Sequence, residues 1–156
     1  MPRPYRWIRI STFLAAAAIG LLILQYVVGL WTNVYAPAQF DSFDSGANYP
    51  LALNVHIVNG DVLFLLSVAA VVVTALGRQW RLVVPAVVLA ASVYVAGQFG
   101  MMYVNTSPND PVYSFGMGVT FLVALFGASA LIMLSRSRWT TQVTEAAPPG
   151  AQSLVG

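Results

Sequence analysis

The amino-acid sequence predicts an all-α integral membrane protein, an antiparallel bundle of four transmembrane helices with the N- and C-termini in the cytoplasm. Three observations predict this fold: the composition, the length of the apolar runs and the positions of the arginines. Of the 156 residues, 58% are hydrophobic and 8% are charged, whereas soluble proteins carry about 25% charged residues. The composition therefore places the chain in the membrane class.

Four apolar runs are long enough to cross a bilayer, whose hydrocarbon core of about 30 Å is spanned by about 20 helical residues. The runs cover approximately residues 10–31, 51–76, 82–104 and 112–134. Together they fill most of a single transmembrane domain, residues 1–134. Residues 135–156 are rich in Thr, Ala, Pro and Gly, a composition that predicts a disordered cytoplasmic tail.

The arginines fix the orientation. All seven basic residues fall on one side of the four spans: Arg3, Arg6, Arg9, Arg78, Arg81, Arg136 and Arg138. The two loops on the other side carry Asp41, Asp44 and Asp110 and no basic residue. Short cytoplasmic loops retain Arg and Lys, so the arginine side is predicted to be cytoplasmic and the membrane to be the cell membrane.

The first span follows the basic N-terminal segment and is predicted to end before Pro37. Because Ala36-Pro37-Ala38 follows it, this span resembles a cleavable signal peptide. However, the apolar region of a signal peptide has about 7–15 residues, and this one is longer and contains Gln25. We therefore expect the span to be retained; cleavage would leave three spans in the same orientation.

The remaining spans have recognisable boundaries. Asn48-Tyr49-Pro50 is typical of a helix start and precedes the second span. The link 77–81 is so short that the second and third spans are expected to be antiparallel neighbours. Pro85 falls in the first turns of the third span, where a missing N–H is tolerated. Residues 105–111 are turn formers and separate the third span from the fourth.

Each predicted helix has a stripe of small and polar residues that is expected to face the bundle interior. The stripes are Ser11, Ala18, Gln25, Gly29 and Thr32; His56, Asn59, Gly60, Ser67, Ala70 and Thr74; Ala91, Tyr94, Gln98, Met102 and Asn105; and Tyr113, Gly116, Met117, Thr120, Ala124 and Gly127. The other positions are mainly Val, Leu, Ile and Ala, which suit the lipid bilayer.

Gln25, His56 and Gln98 each lie six residues from the outer end of a span, about 9 Å below the boundary. This shared depth predicts an outward-facing polar pocket, with His56, Gln25, Gln98 and Tyr113 as cofactor-binding candidates. The further candidates for a ligand or proton are Asp61, Asn59 and Tyr94. The alternative is that these side chains form structural hydrogen bonds between helices.

The two ionisable residues inside the spans, His56 and Asp61, are the most informative. An Asp at the centre of a span costs about 2.5–3.5 kcal/mol on insertion scales, which favours a functional role. The two lie about 140° apart around the helix, so Asp61 is expected to face a neighbouring helix or a partner protein. His56 could be a haem or metal ligand, a proton carrier or a hydrogen-bonded structural residue.

One segment carries a family resemblance. Leu24-Gln25-Tyr26-Val27-Val28-Gly29-Leu30-Trp31-Thr32-Asn33, followed by His56-Ile57-Val58-Asn59-Gly60, resembles the opening of one half of the haem A synthase family. The resemblance implies a four-helix half-bundle with haem as a possible cofactor and His56 as a ligand. The family's partner histidine is missing, since the fourth helix begins Tyr113-Ser114-Phe115-Gly116, and no activity is carried over. Small actinobacterial four-helix membrane proteins are also similar.

The sequence offers no catalytic set. It has no cysteine and one histidine, and it contains no phosphate loop, no zinc motif and no Ser-His-Asp grouping, so we predict no metal site. A basic face for nucleic acid is likewise missing. The composition favours a non-enzymatic module in the lipid bilayer. Such a module could be an accessory subunit, within a larger membrane complex or a homo-oligomer, or it could be a haem- or quinone-associated protein. The alternatives are a small oligomeric transporter or proton-coupled carrier using Asp61 and His56, and, third, a lipid- or isoprenoid-modifying enzyme.

Overall fold

The structure, a computed structural model, describes residues 3–35, 51–105 and 111–146. They form four long helices: α1 (Arg3–Tyr35), α2 (Leu51–Leu76), α3 (Trp80–Asn105) and α4 (Pro111–Ala146). Residues 36–50, with the Ala36-Pro37-Ala38 triplet, residues 106–110 and residues 147–156 lie outside the described residues; they include most of both predicted outer loops. Each helix contains a stretch apolar and long enough to span a membrane. The four-helix membrane fold is thus confirmed, whereas its orientation stays a prediction.

Two helices run beyond the predicted spans. α1 begins at Arg3 rather than near residue 10, so the basic N-terminal segment is part of the helix. α4 continues to Ala146, and residues 135–146, which were predicted to be disordered, are helical. The reason is visible in the sequence: no Pro or Gly occurs between Gly127 and Pro148, so residues 135–146 contain neither of the residues that interrupt helices.

The helices form a ring in which each packs against two neighbours. α1 packs against α2 and α4, and α3 packs against the same two helices; the α3–α4 pair has the most extensive contact. The apolar core lies in two layers. The middle layer comprises Ala18, Leu22, Leu63, Leu89, Val93, Ala124 and Ala128, and the layer nearer the arginine end comprises Ala15, Ala70, Leu82, Ala86 and Leu131.

Between α2 and α3 the chain reverses in three residues. Arg78 has a left-handed backbone with φ of 53°, and the Gly77 amide donates to the Val73 carbonyl. A side chain at Gly77 would come within 3.0 Å of Trp7 on α1. Glycine therefore lets the start of α1 pack against the α2–α3 turn, and the prediction of adjacent antiparallel spans is confirmed.

The buried face of α3 differs from the predicted stripe. Ala91, Tyr94 and Met102 are exposed, with Tyr94 at 55% and Met102 at 47%, so their assignment to the bundle interior was wrong. The face that packs inward carries Leu82, Ala86, Leu89 and Val93. α3 packs against α4 through apolar groups, among them the Phe99 ring opposite Gly116, and through backbone at Leu89 opposite Gly127. The polar residues chosen from the sequence therefore did not identify this face.

Candidate functional site

A hydrogen-bonded cluster connects α1 to α2 in the half of the bundle away from the arginines. It consists of Gln25 on α1 with His56 and Asn59 on α2, one turn apart. Gln25 Nε2 lies 3.1 Å from His56 Nε2. Asn59 Nδ2 lies 2.6 Å from Gln25 Oε1 and 3.0 Å from the Leu21 carbonyl oxygen. The sequence prediction that Gln25 and His56 share one level is consistent with this contact.

The backbone carbonyl of Leu21 sets the direction of the whole chain of hydrogen bonds. A carbonyl oxygen only accepts, so the Asn59 atom facing it is the amide nitrogen, which also donates to Gln25 Oε1. The other end of the Gln25 amide is then a donor, and His56 Nε2 accepts from it. His56 is therefore the neutral tautomer with its hydrogen on Nδ1.

Two glycines allow this close packing. A Cβ atom at Gly29 would lie 2.9 Å from His56 Cε1 and 3.3 Å from its Nδ1. A Cβ atom at Gly60 would lie 3.3 Å from Gln25 Nε2. The imidazole and the Gln25 amide thus occupy the space that glycine leaves open on the facing helix. His56 Nδ1 is buried there without a hydrogen-bond partner.

This arrangement does not fit haem ligation by His56. An axial ligand needs one imidazole nitrogen with open space in front of it for the iron. Nε2 faces the Gln25 amide at 3.1 Å, and Nδ1 is buried against Gly29. Both nitrogens are blocked by groups of this chain, so the structure offers no position for a haem at His56.

The other predicted site residues lie away from the cluster. Asp61 is on the exposed face of α2. Tyr94 is exposed on α3, where its ring centroid lies 6.1 Å from that of Phe64. Gln98 on α3 and Tyr113 on α4 are half-buried. Of the seven candidates, the hydrogen bonds of the described residues connect Gln25, His56 and Asn59.

The surface beside the cluster is apolar. Two shallow grooves run along the α1–α2 seam, one lined by Leu21, Asn54, Val55, Val58, Asn59 and Val62. The other is lined by Val27, Val28, Trp31, Leu51, Ala52 and Val55. Gln25, His56 and Asn59 fill the contact between α1 and α2, where they are hydrogen-bonded to one another. The outward-facing polar pocket stays a prediction.

A second set of buried polar residues lies at the arginine end of the bundle. Ser11 and Thr74 were predicted to face the interior, whereas Gln79 and Ser135 were not. Ser11, Thr74, Gln79 and Ser135 are buried on or beside different helices, about one turn beyond the inner apolar layer. The hydroxyls of Ser11 and Thr74 donate to carbonyls one turn back in their own helices, while Gln79 Oε1 and Ser135 Oγ are buried without a partner. Gln79 directly precedes α3, and its backbone carbonyl accepts from the Leu82 amide at 2.7 Å.

Comparisons with protein-family models, curated proteins and solved structures found no match. In the described ranges, no three His, Cys, Asp or Glu side chains are grouped so that they could hold a metal ion. The haem A synthase resemblance gains no support from these comparisons. What the site can do is therefore argued from its geometry alone.

Proposed function

We propose that this protein is a non-enzymatic membrane module that acts as an accessory subunit of a larger membrane assembly. The observation that carries the proposal is the closed cluster of Gln25, His56 and Asn59. These are the polar side chains best suited to bind a ligand, and they are hydrogen-bonded to one another across α1 and α2. Hydrogen bonds of this kind hold membrane helices together, which supports a structural role.

The other hypotheses draw less support from the geometry. A carrier using His56 and Asp61 together needs both at one pathway, yet His56 contacts α1 while Asp61 lies on the exposed face of α2. A quinone carbonyl could accept from His56 Nδ1, which has no partner, but this nitrogen is buried. Neither hypothesis explains why glycine stands opposite the imidazole ring.

The accessory role is tested by purifying the tagged protein from its native membrane in mild detergent. We expect other membrane proteins to co-elute with it in fixed stoichiometry on size-exclusion chromatography. The native mass of the complex should then exceed the mass contributed by its copies of this 16.7 kDa chain. An unrelated four-helix protein with the same tag serves as the control. Recovery of this chain alone, from membranes in which it is expressed at its natural level, would contradict the proposal.

We further propose that the bundle is inserted in the cell membrane with both termini in the cytoplasm. In the described chain, Arg6 and Arg9 lie near the start of α1, Arg78 and Arg81 at the α2–α3 turn, and Arg136 and Arg138 near the end of the α4 span. An antiparallel bundle places these segments at one end. The positive-inside rule supports a cytoplasmic location for that end.

Because the chain has no cysteine, single introduced cysteines report the orientation directly. We expect Ser45→Cys to react with a membrane-impermeant maleimide in intact cells. Ser153→Cys should react only after the cells are permeabilised. The reverse labelling pattern would show that the orientation is inverted, and labelling of both positions in intact cells would contradict three membrane spans between residues 45 and 153.

A further inference from the structure

Asp61 lies near the middle of a span and faces away from the bundle. It is ten residues into α2, about 15 Å from the outer end, and it is exposed. No hydrogen bond or ion pair joins it to any residue in the ranges 3–35, 51–105 and 111–146. Val58 and Leu65, one turn away on either side, are exposed and apolar. The four described helices therefore provide no polar neighbour for Asp61.

Asp61 lies beside an opening between α2 and α3. One turn nearer the arginine end, the ring centroids of Phe64 on α2 and Tyr94 on α3 lie 6.1 Å apart. The two helices are antiparallel, so one turn towards the outer end from this pair leads to Asp61 on α2 and to Gly97 on α3. Gly97 is exposed, and no atom lies within 4 Å of its Cβ position. We call this opening, with Asp61, Tyr94 and Gly97, the Asp61 notch.

The Asp61 notch has the chemistry of a cation site. Its aromatic ring, that of Tyr94, is 55% exposed, and aromatic rings attract guanidinium and ammonium groups. An Asp at the centre of a span costs several times what one hydrogen bond between membrane helices returns. That cost is measured for the residue as it inserts, so it holds whether or not the carboxyl is protonated. A neutral hydrogen-bonding neighbour is therefore not enough, whereas a cation shielded from water interacts much more strongly with a carboxylate.

Neither this chain nor a second copy of it can supply the cation. Arg9 is the arginine furthest into a span, and it is two residues from Trp7. Trp7 packs against Gly77, which is sixteen residues beyond Asp61, about 24 Å along the helix axis. A second copy inserted in the same direction has its arginines at that same level, far beyond the reach of a side chain. The cation must come from a different protein.

We propose that the Asp61 notch receives a Lys or Arg side chain from a transmembrane helix of a different membrane protein. The proposal rests on the accessory role stated above and names the chemistry of the partner. The cationic group pairs with Asp61 and lies against the Tyr94 ring, while the open space at Gly97 admits its aliphatic stem. Ionisable residues inside membranes commonly pair with one another in this way.

Photocross-linking in native membranes tests the position of the partner. A photoreactive benzoylphenylalanine in place of Leu65, one turn from Asp61, is compared with one in place of Phe126 on α4. Leu65 and Phe126 are exposed at 67% and 73% and lie fourteen and fifteen residues from the outer ends of their helices. We expect the probe at 65 to capture one membrane protein severalfold more efficiently than the probe at 126. A captured protein without a Lys or Arg near the middle of a span, or a dimer of this chain as the main product, would overturn the proposal.

Substitutions of Asp61 in the chain with the probe at 65 test the charge. Asp61→Asn keeps the shape and the hydrogen-bonding capacity but removes the charge, so the cross-link should fall severalfold, whereas Asp61→Glu should retain most of it. Asp61→Lys should lose the cross-link and regain it when the basic residue of the partner is replaced by Asp. Circular dichroism in detergent checks that each variant is folded.

The outcomes separate this proposal from the accessory role. A cross-link that survives Asp61→Asn, with the same proteins still co-eluting, overturns the cationic partner and leaves the accessory role in place. If no protein co-elutes with the wild-type chain and none is captured, the accessory role fails and the proposal fails with it.

Discussion

Replacing Gly127 with leucine should be among the most destabilising single substitutions in this protein. A Cβ atom at Gly127 would lie 3.0 Å from the Leu89 backbone nitrogen and 3.1 Å from the Pro85 carbonyl oxygen. These two atoms are four residues apart in α3, so the new side chain would press on helical backbone, which cannot turn aside as a side chain can. Overpacking a core costs about 1–3 kcal/mol and sometimes more. We expect a loss of about 3 kcal/mol or more, because α3 and α4 must separate along their whole contact.

Reversible unfolding in mixed detergent micelles, followed by circular dichroism, measures this loss. Gly118→Leu is the matched control, since it makes the same change on the same helix. Gly118 is exposed, and no atom lies within 4 Å of the Cβ position, so its leucine would project outward at little cost. If the two variants unfold at the same detergent fraction, the close α3–α4 contact does not govern stability.

The contrast between α2 and α3 shows which part of the bundle the sequence could predict. On α2 the predicted stripe includes Asn59, Ser67, Ala70 and Thr74, and all four are buried. Apart from the exposed Asn54 and Asp61, the small and polar side chains of this helix are concentrated on one side, so polarity distinguishes the interior from the lipid face. The contact of Gln25 with His56 could be anticipated for the same reason, because depth and face agreed.

α3 could not be oriented in this way. Its few polar residues, among them Tyr94 and Gln98, do not mark the face that packs against α4. The face of α3 that packs inward depends on residues of α4. Gly127 has no side chain and leaves space for the α3 backbone at Leu89, and the small residues Ala124 and Ala128 lie in the same core. Such shape matching depends on two helices at once. A pattern read along one helix does not contain it.

The sequence also could not predict which groups donate and which accept in the hydrogen bonds of the cluster. Gln25, His56 and Asn59 were candidates for binding a ligand because each can donate and accept. Only the position of Asn59 beside the Leu21 carbonyl shows that the amide and imidazole groups are committed to each other. A change at Asn59 that preserves shape but removes its hydrogens therefore tests the cluster most sharply.

We expect Asn59→Asp to destabilise the bundle strongly although it is nearly isosteric. The carboxyl oxygen that replaces Asn59 Nδ2 would face the Leu21 carbonyl and Gln25 Oε1, which are both acceptors. Inserting an Asp near the centre of a span costs about 2.5–3.5 kcal/mol, and two hydrogen bonds of about 0.6 kcal/mol each are weakened or lost. Asn59→Leu removes the same bonds without adding a charge, so its loss should be smaller, about 1 kcal/mol.

Asp61→Asn makes the reverse exchange two residues along the same helix and completes the test. Asp61 is exposed and Asn59 is buried, so the amide-to-carboxyl change should destabilise at position 59, while the carboxyl-to-amide change should leave stability unchanged or raise it at position 61. The measurement is again the detergent fraction at half-unfolding. The expected order of stability is Asp61→Asn at or above the wild type, then Asn59→Leu, then Asn59→Asp. If Asn59→Asp were as stable as the wild type, Asn59 could not be the residue that directs hydrogen bonding between α1 and α2, and the structural role assigned to the cluster would fail with it.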